Sequence, residues 1–148
     1  MQCMAVERSV GAVDSTEFQM GFVELIGLTI SEAGPDKVVG SLPVRPDLLQ
    51  PYGIVHGGVL CALVETVGSV GAALWYGDRG NTVGVSNSTD FIRATRIGTL
   101  TAVATPIHRG RTSQLWLVDI TDESDRLVAR GQLRVANIED AGRLAAAP

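Results

Sequence analysis

The spacing of apolar and polar residues changes along the chain, and it predicts a hairpin, a long helix and then several strands. Two short alternating runs come first, at residues 28–32 and 37–43, and the turn-forming sequence Gly-Pro-Asp separates them. This arrangement is typical of a β-hairpin. A short helix over residues 16–25, capped by Ser15 or Thr16, is expected before the hairpin.

The segment Gly57–Tyr76 is almost continuously apolar, and a helix that is apolar nearly all round is typical of one enclosed by protein. The segment is also long enough to cross a bilayer, but Glu65 near its middle would cost about 2.5–3.5 kcal/mol there. No cluster of Lys or Arg flanks it to fix a membrane orientation. We therefore expect a buried helix and no membrane insertion. The preceding residues 45–56 contain two prolines and are expected to form an ordered loop.

After Gly80 the apolar residues recur with a period of two, which predicts strands. These strands cover residues 82–93, 98–108, 114–121 and 127–137. Both faces of the run 114–121 are largely apolar, so we expect it to be covered by the helix and, in an oligomer, by another subunit. The whole pattern predicts an α+β fold in which a hairpin and an antiparallel meander wrap around one central helix.

Composition and net charge exclude several classes of function. The chain has 148 residues, enough for one domain with its own core, which we place at about residues 16–138, followed by a disordered tail at 139–148. The net charge of −4 argues against nucleic-acid binding. Cys3 and Cys61 have no zinc-ligand spacing, so neither a metal nor a cofactor is expected. The first ten residues lack the apolar core of a signal peptide, which predicts a cytoplasmic protein.

Candidate chemistry lies at the start of the long helix and along one of its faces. Gly57 and Gly58 stand where the loop becomes the helix, and the first N–H groups there are free to bind a developing oxyanion. Glu65 and Ser69 are four residues apart and share a helix face. A carboxylate in apolar surroundings can act as a general base or as a nucleophile, although it can also be a purely structural group. The set suits hydrolysis of an activated acyl group.

The separation between Gly57 and Glu65 constrains the assembly. Eight residues of helix span about 12 Å, too far for one carbonyl to reach both groups easily. Two antiparallel copies of the helix would bring Gly57 of one subunit near Glu65 of the other. We therefore predict a site shared across a two-fold dimer interface.

The spacing Gln-x5-His-Gly-Gly-x6-Glu-x3-Ser resembles the active-site pattern of PaaI-type hotdog-fold acyl-CoA thioesterases, members of the 4-hydroxybenzoyl-CoA thioesterase superfamily. The residues that carry it are Gln50, His56, Gly57, Gly58, Glu65 and Ser69. The resemblance continues through residues 90–93, 108–111 and 114–116 and covers about residues 27–137. It implies the hotdog fold, a sheet wrapped around one long helix. The implied activity is hydrolysis of acyl-CoA or aryl-CoA thioesters to free acid and CoA.

The resemblance also implies roles for single residues. Gln50 would orient the thioester or the water, and the Gly57 N–H would hold the oxyanion. Glu65 of the partner subunit would be the base or the nucleophile, with Ser69 positioning the water or the carboxylate. His56 would bind the thioester carbonyl or the leaving group.

The CoA and acyl groups would contact a second set of residues. Candidates for this set are Gly58, Phe91, Arg93, Arg96, Arg109 and Arg111, and arginine suits phosphate because its planar group donates paired hydrogen bonds. Phe91 stands where similar enzymes carry a histidine, which leaves the acyl group open. CoA is part of the substrate, so no separate cofactor is implied. At least a homodimer is expected, and the doubly apolar strand favours a homotetramer.

Two other functions fit the same fold. One is a hotdog dehydratase or hydratase that acts on acyl thioesters, and the other is a non-catalytic acyl-CoA-binding protein. Release of free CoA thiol would separate hydrolysis from both. A Ser-His-Asp esterase is disfavoured because the sequence has no Gly-x-Ser-x-Gly element.

Overall fold

The computed structural model describes residues 21–139, which form one six-stranded antiparallel sheet around one long helix. The helices are α1 (Phe22–Ile26) and α2 (Gly57–Tyr76), and the strands are β1 (Thr29–Ala33), β2 (Val38–Pro43), β3 (Asn81–Phe91), β4 (Thr99–Arg109), β5 (Ser113–Thr121) and β6 (Leu127–Ile138). Short 3-10 turns follow β2 and α2. The fold is therefore the predicted α+β arrangement of a sheet around a central helix.

Helix α2 occupies the interior of the curved sheet and contacts all six strands. Its length and apolar composition would suit a membrane span, but much of its apolar surface is buried inside this domain. Small residues allow the close packing: a Cβ added at Gly71 would lie 2.6 Å from the Trp116 ring, and one added at Gly68 would lie 2.7 Å from Leu133. The helix is confirmed from its first to its last residue.

Strand β5 has an inner and an outer apolar face, as its sequence predicts. Trp116, Val118 and Ile120 point inward and are fully buried against the helix layer. Leu115 and Leu117 lie on the opposite face and are half-buried within one protomer. The inner covering is confirmed, and the outer covering by another subunit stays a prediction.

The strand order differs from a simple meander. A meander would place β3 beside β4, whereas the observed order is β1-β2-β4-β5-β6-β3. Strands β4, β5 and β6 form the meander, while β3 crosses to the far side and pairs with β6. Strand β3 is thus an edge strand, and only a short 3-10 turn separates it from α2 in the sequence. The alternation of apolar and polar residues in β3 does not indicate which strand it pairs with.

The remaining predicted elements agree with the structure where it describes them. The hairpin is β1 and β2, which pair antiparallel. Helix α1 covers the end of the predicted leading helix, whose residues 16–20 lie outside the described part of the chain. Residues 140–148 of the predicted disordered tail also lie outside it, whereas Glu139 forms a 3.5 Å ion pair with Arg111.

Candidate active site

The first turn of α2 is fixed by the histidine that precedes it. His56 is the N-cap, and its Nδ1 accepts a hydrogen bond from the Gly58 N–H at 2.8 Å. Because Nδ1 acts as the acceptor, the neutral ring carries its proton on Nε2. The Gly57 N–H makes no hydrogen bond to residues 21–139 and remains a free donor at the positive end of the helix.

The loop before α2 presents Gln50 in one orientation. Gln50 Oε1 accepts the Tyr52 N–H at 2.7 Å. A backbone N–H can only donate, so the side-chain nitrogen Nε2 must lie on the other side of the amide, where it is free to donate. Arg96 holds the same loop by donating to the carbonyls of Tyr52 and Gly53 at 3.1 and 3.2 Å. Gln50 therefore ties its loop together and also offers a donor.

A cleft of about 260 Å³ brings four of the predicted site residues together, and its lining residues are Gln50, Ile54, Val55, Gly57, Leu60, Phe91, Ile92, Arg93, Ala94, Thr95 and Val128. The Phe91 ring packs directly on the helix start, because a Cβ added at Gly57 would lie 2.6 Å from it. The cleft thus combines amide donors, an aromatic wall and the Arg93 guanidinium beside the α2 N-terminus.

Glu65 lies further along α2, at the centre of a separate hydrogen-bond network. Its Oε2 accepts from Asn87 Nδ2 at 3.1 Å, and the same nitrogen donates to the Cys61 carbonyl at 3.0 Å. Asn87 Oδ1 in turn accepts from the Thr89 hydroxyl at 2.7 Å. Oε1 of Glu65 lies over Gly84, where an added Cβ would overlap it.

A β-bulge in β3 turns the residues of this network toward the helix. The pairing with β6 shifts between Gly84 and Ser86, so Val85 is the extra residue. A regular strand would direct Gly84 and Asn87 to opposite faces, and the bulge brings both to Glu65. Sequence reasoning missed Asn87, because period-two alternation alone cannot show where a bulge inverts the faces.

The other predicted residues lie apart from these two groups within one protomer. Ser69 is one helix turn beyond Glu65, and its hydroxyl bonds none of the residues in 21–139. Arg109 is at the opposite end of α2 from Gly57, where it pairs with Asp36 at 2.8 Å and lies over the Trp75 ring. Arg111 pairs with Glu139 at the same end.

A second, mainly apolar cleft of about 460 Å³ lies beside His56 and Gly58, and its other lining residues are Phe22, Leu25, Ile26, Arg45, Asp47, Leu48 and Val59. The hydrogen bond from Arg45 lowers the pKa of the Asp47 carboxyl from its ordinary value. The charge of Arg45 in this cleft is therefore balanced by the charge of Asp47. Within the described residues 21–139, no group of three or more His, Cys, Asp or Glu side chains could hold a metal ion.

One long helix enclosed by a curved six-stranded antiparallel sheet is the hotdog fold. The thioesterase superfamily model matches residues 52–129, more than half of the chain. The chain belongs to the thioesterase superfamily and is a thioester hydrolase. The resemblance read from the sequence is thereby confirmed.

Three relatives illustrate the match. The crystal structure of AziG from S. sahachiroi is 51% identical, with a TM-score of 0.80 over 82% of this chain and 98% of that chain. The thioesterase HI1161 from Haemophilus influenzae is 34% identical, with a TM-score of 0.80 over 84% and 87% of the two chains. The 1,4-dihydroxy-2-naphthoyl-CoA hydrolase of Listeria monocytogenes is 33% identical over 79% of this chain and 95% of its own length.

Proposed function

We propose that this protein hydrolyses acyl-CoA or aryl-CoA thioesters to the free acid and CoA, in sites shared between two subunits. The observation that carries the proposal is the division of the site within one protomer. The cleft at Gln50 and Gly57 supplies hydrogen-bond donors but no carboxylate, while Glu65 is held eight residues further along the same helix. A two-fold arrangement of antiparallel helices would complete both halves.

Strand β3 supports that arrangement. It is an 11-residue edge strand with no partner on its outer side within residues 21–139, and its Val85 and Phe91 side chains are each 58% exposed. A long edge strand with apolar residues is a template for pairing with another chain. Pairing β3 with its symmetry copy would continue the sheet and bring two α2 helices together. We propose a homodimer at least, and a homotetramer if the outer apolar face of β5 is also covered.

In the proposed reaction, the Gly57 N–H and the Gln50 amide donate to the thioester carbonyl, and their hydrogen bonds stabilise the negative charge that develops on its oxygen. Glu65 of the partner subunit either removes a proton from the attacking water or attacks the carbonyl carbon itself. The C–S bond then breaks, and the thiolate of CoA takes up a proton on release. If Glu65 itself attacks the carbonyl, water then hydrolyses the resulting acyl anhydride on Glu65, which releases the free acid and restores the carboxylate. Ser69, one turn from Glu65, would orient the water or the carboxylate, and His56 Nε2 would donate to the carbonyl or the leaving group.

We propose that Arg93 and Arg96 hold the CoA phosphates. Arg93 lines the cleft and forms no ion pair with the described residues, and Arg96 follows three residues later on the surface. Arg109 and Arg111 are already paired with carboxylates at the far end of α2, so they are weaker candidates within one protomer. Gly58 and Phe91 would contact the acyl part. CoA arrives as part of the substrate, and we place the enzyme in the cytoplasm.

The direct test measures free thiol release from a panel of aromatic and aliphatic acyl-CoAs by the parent and by Glu65→Ala. We expect cleavage by the parent and a loss of at least about a hundredfold in the variant. A folded, oligomeric parent that cleaves no thioester would reject hydrolysis. The dehydratase and the acyl-CoA-binding protein would then be the functions to test.

A further inference from the structure

We infer that Asn87 is a positioning residue for Glu65, which anchors Oε2 and leaves Oε1 as the oxygen that faces the reaction. This inference rests on the proposed function and extends it to a residue on β3. Asn87 is linked to the proposed chemistry by its hydrogen bond to the Glu65 carboxylate, so its effect would pass through that carboxylate.

Hydrogen bonds at both the nitrogen and the oxygen fix the orientation of the Asn87 amide. Its two N–H groups donate to Glu65 Oε2 and to the Cys61 carbonyl, at 3.1 and 3.0 Å. Its oxygen accepts from the Thr89 hydroxyl at 2.7 Å. Rotating the amide by half a turn would place Oδ1 against two acceptors, the Glu65 carboxylate and the Cys61 carbonyl. The network therefore specifies a single orientation.

The same contacts fix Glu65 in two ways. The Cys61 carbonyl is the helix acceptor one turn before Glu65, so Asn87 holds the backbone of that turn as well as the carboxylate. Gly84 leaves the space in which Oε1 lies, and a Cβ there would overlap this oxygen. Oε2 is thus occupied, while Oε1 has no hydrogen-bond partner among residues 21–139.

A neutral donor suits this task. A lysine or arginine in the same position would form an ion pair that weakens the carboxylate as a base or nucleophile. The asparagine donates one hydrogen bond without cancelling the charge, and it leaves the other oxygen available. Small displacements of a reacting group reduce rates strongly. A network that fixes the position of the Glu65 carboxylate should therefore raise the rate of the proposed reaction.

The test begins with Asn87→Ala, measured by thiol release on an acyl-CoA that the parent cleaves. We expect kcat to fall by about 10- to 100-fold while KM changes by less than about threefold, because the lost contact orients the carboxylate and does not bind substrate. Asn87→Asp keeps the shape of the side chain and serves if the alanine variant is unstable. Ser124→Ala, at an exposed position in the turn between β5 and β6, is the control and should match the parent.

A double-mutant cycle separates positioning from a general structural role. In the Glu65→Gln background, Asn87→Ala should lower the residual kcat by less than about twofold, because the carboxylate that it positions is absent. A similar loss in both backgrounds would overturn the inference, and so would an unchanged kcat in Asn87→Ala and Asn87→Asp with an active parent. A parent that cleaves no thioester would instead reject the proposed function, and this inference with it.

Discussion

At the scale of single residues, two glycines leave room for groups from another element. Gly57 lies under the Phe91 ring of β3, and Gly84 lies under the Glu65 carboxylate of α2. Each marks a point where β3 and the first half of α2 approach closely. The space is therefore used by the candidate site, and any side chain at either position would have to displace a group that the proposed reaction needs.

Gly57→Ala tests this contact. The added Cβ would lie 2.6 Å from the Phe91 ring and would push the ring into the cleft or shift the helix start. We expect kcat/KM for acyl-CoA cleavage to fall by about tenfold or more, since the oxyanion donor moves. Gly34→Ala is the control, because its Cβ would make an ordinary 3.5 Å contact in the hairpin turn. Equal activity of both variants would argue against a role for the Gly57 position.

At the scale of elements, the structure depends on how closely α2 packs against the sheet. Trp116 of β5 is fully buried, and its ring covers Gly71. Its Nε1 donates to Gln114 Oε1 at 2.9 Å, and Gln114 Nε2 donates to the Ala72 carbonyl of the helix at 3.2 Å. The indole is therefore bonded to a glutamine that is itself anchored to the helix. Moving the ring away from Gly71 would strain or break this hydrogen bond.

Gly71→Ala should destabilise the protein even though alanine is the better helix former by up to about 1 kcal/mol. Overpacking of a core typically costs about 1–3 kcal/mol, and the Cβ would lie 2.6 Å from the fixed indole ring. Subtracting the full helix gain from the overpacking cost leaves an expected net loss of up to about 2 kcal/mol. A urea titration with an unchanged slope and a lower midpoint would agree with it, whereas a higher midpoint would show that the ring can relocate.

The elements themselves could largely be predicted from the sequence, because each has a clear period or clear turn residues. Helix α2 was predictable at both ends, since the apolar run starts at Gly57 and stops at Tyr76. The place of β3 in the sheet was not, because strand alternation does not encode a neighbour. Asn87 was missed for a related reason, since the bulge at Val85 changes which residues face α2. Glu65 and Gln50 could be singled out because their spacing from the glycines is distinctive.

At the scale of the whole molecule, the free edge of β3 is the surface through which two protomers would combine. Val85→Lys places a charge on this edge, and lysine on an edge strand opposes pairing. We expect light scattering to show a monomer and thiol release to be lost, although each chain keeps every proposed site residue. Ile97→Lys, at an exposed position outside the strands, should keep both the oligomer and the activity. An active Val85→Lys monomer would contradict the shared site.

The most direct test of the central claim combines two inactive variants in one dimer. Glu65→Gln and Gln50→Ala chains, carrying different affinity tags, would be co-expressed and the mixed dimer isolated through both tags. If Glu65 serves the cleft of the partner, one of the two sites is intact, and the dimer should recover up to about half of the parent activity. A mixed dimer no more active than the two separate variants would show that Gln50 and Glu65 act within one chain.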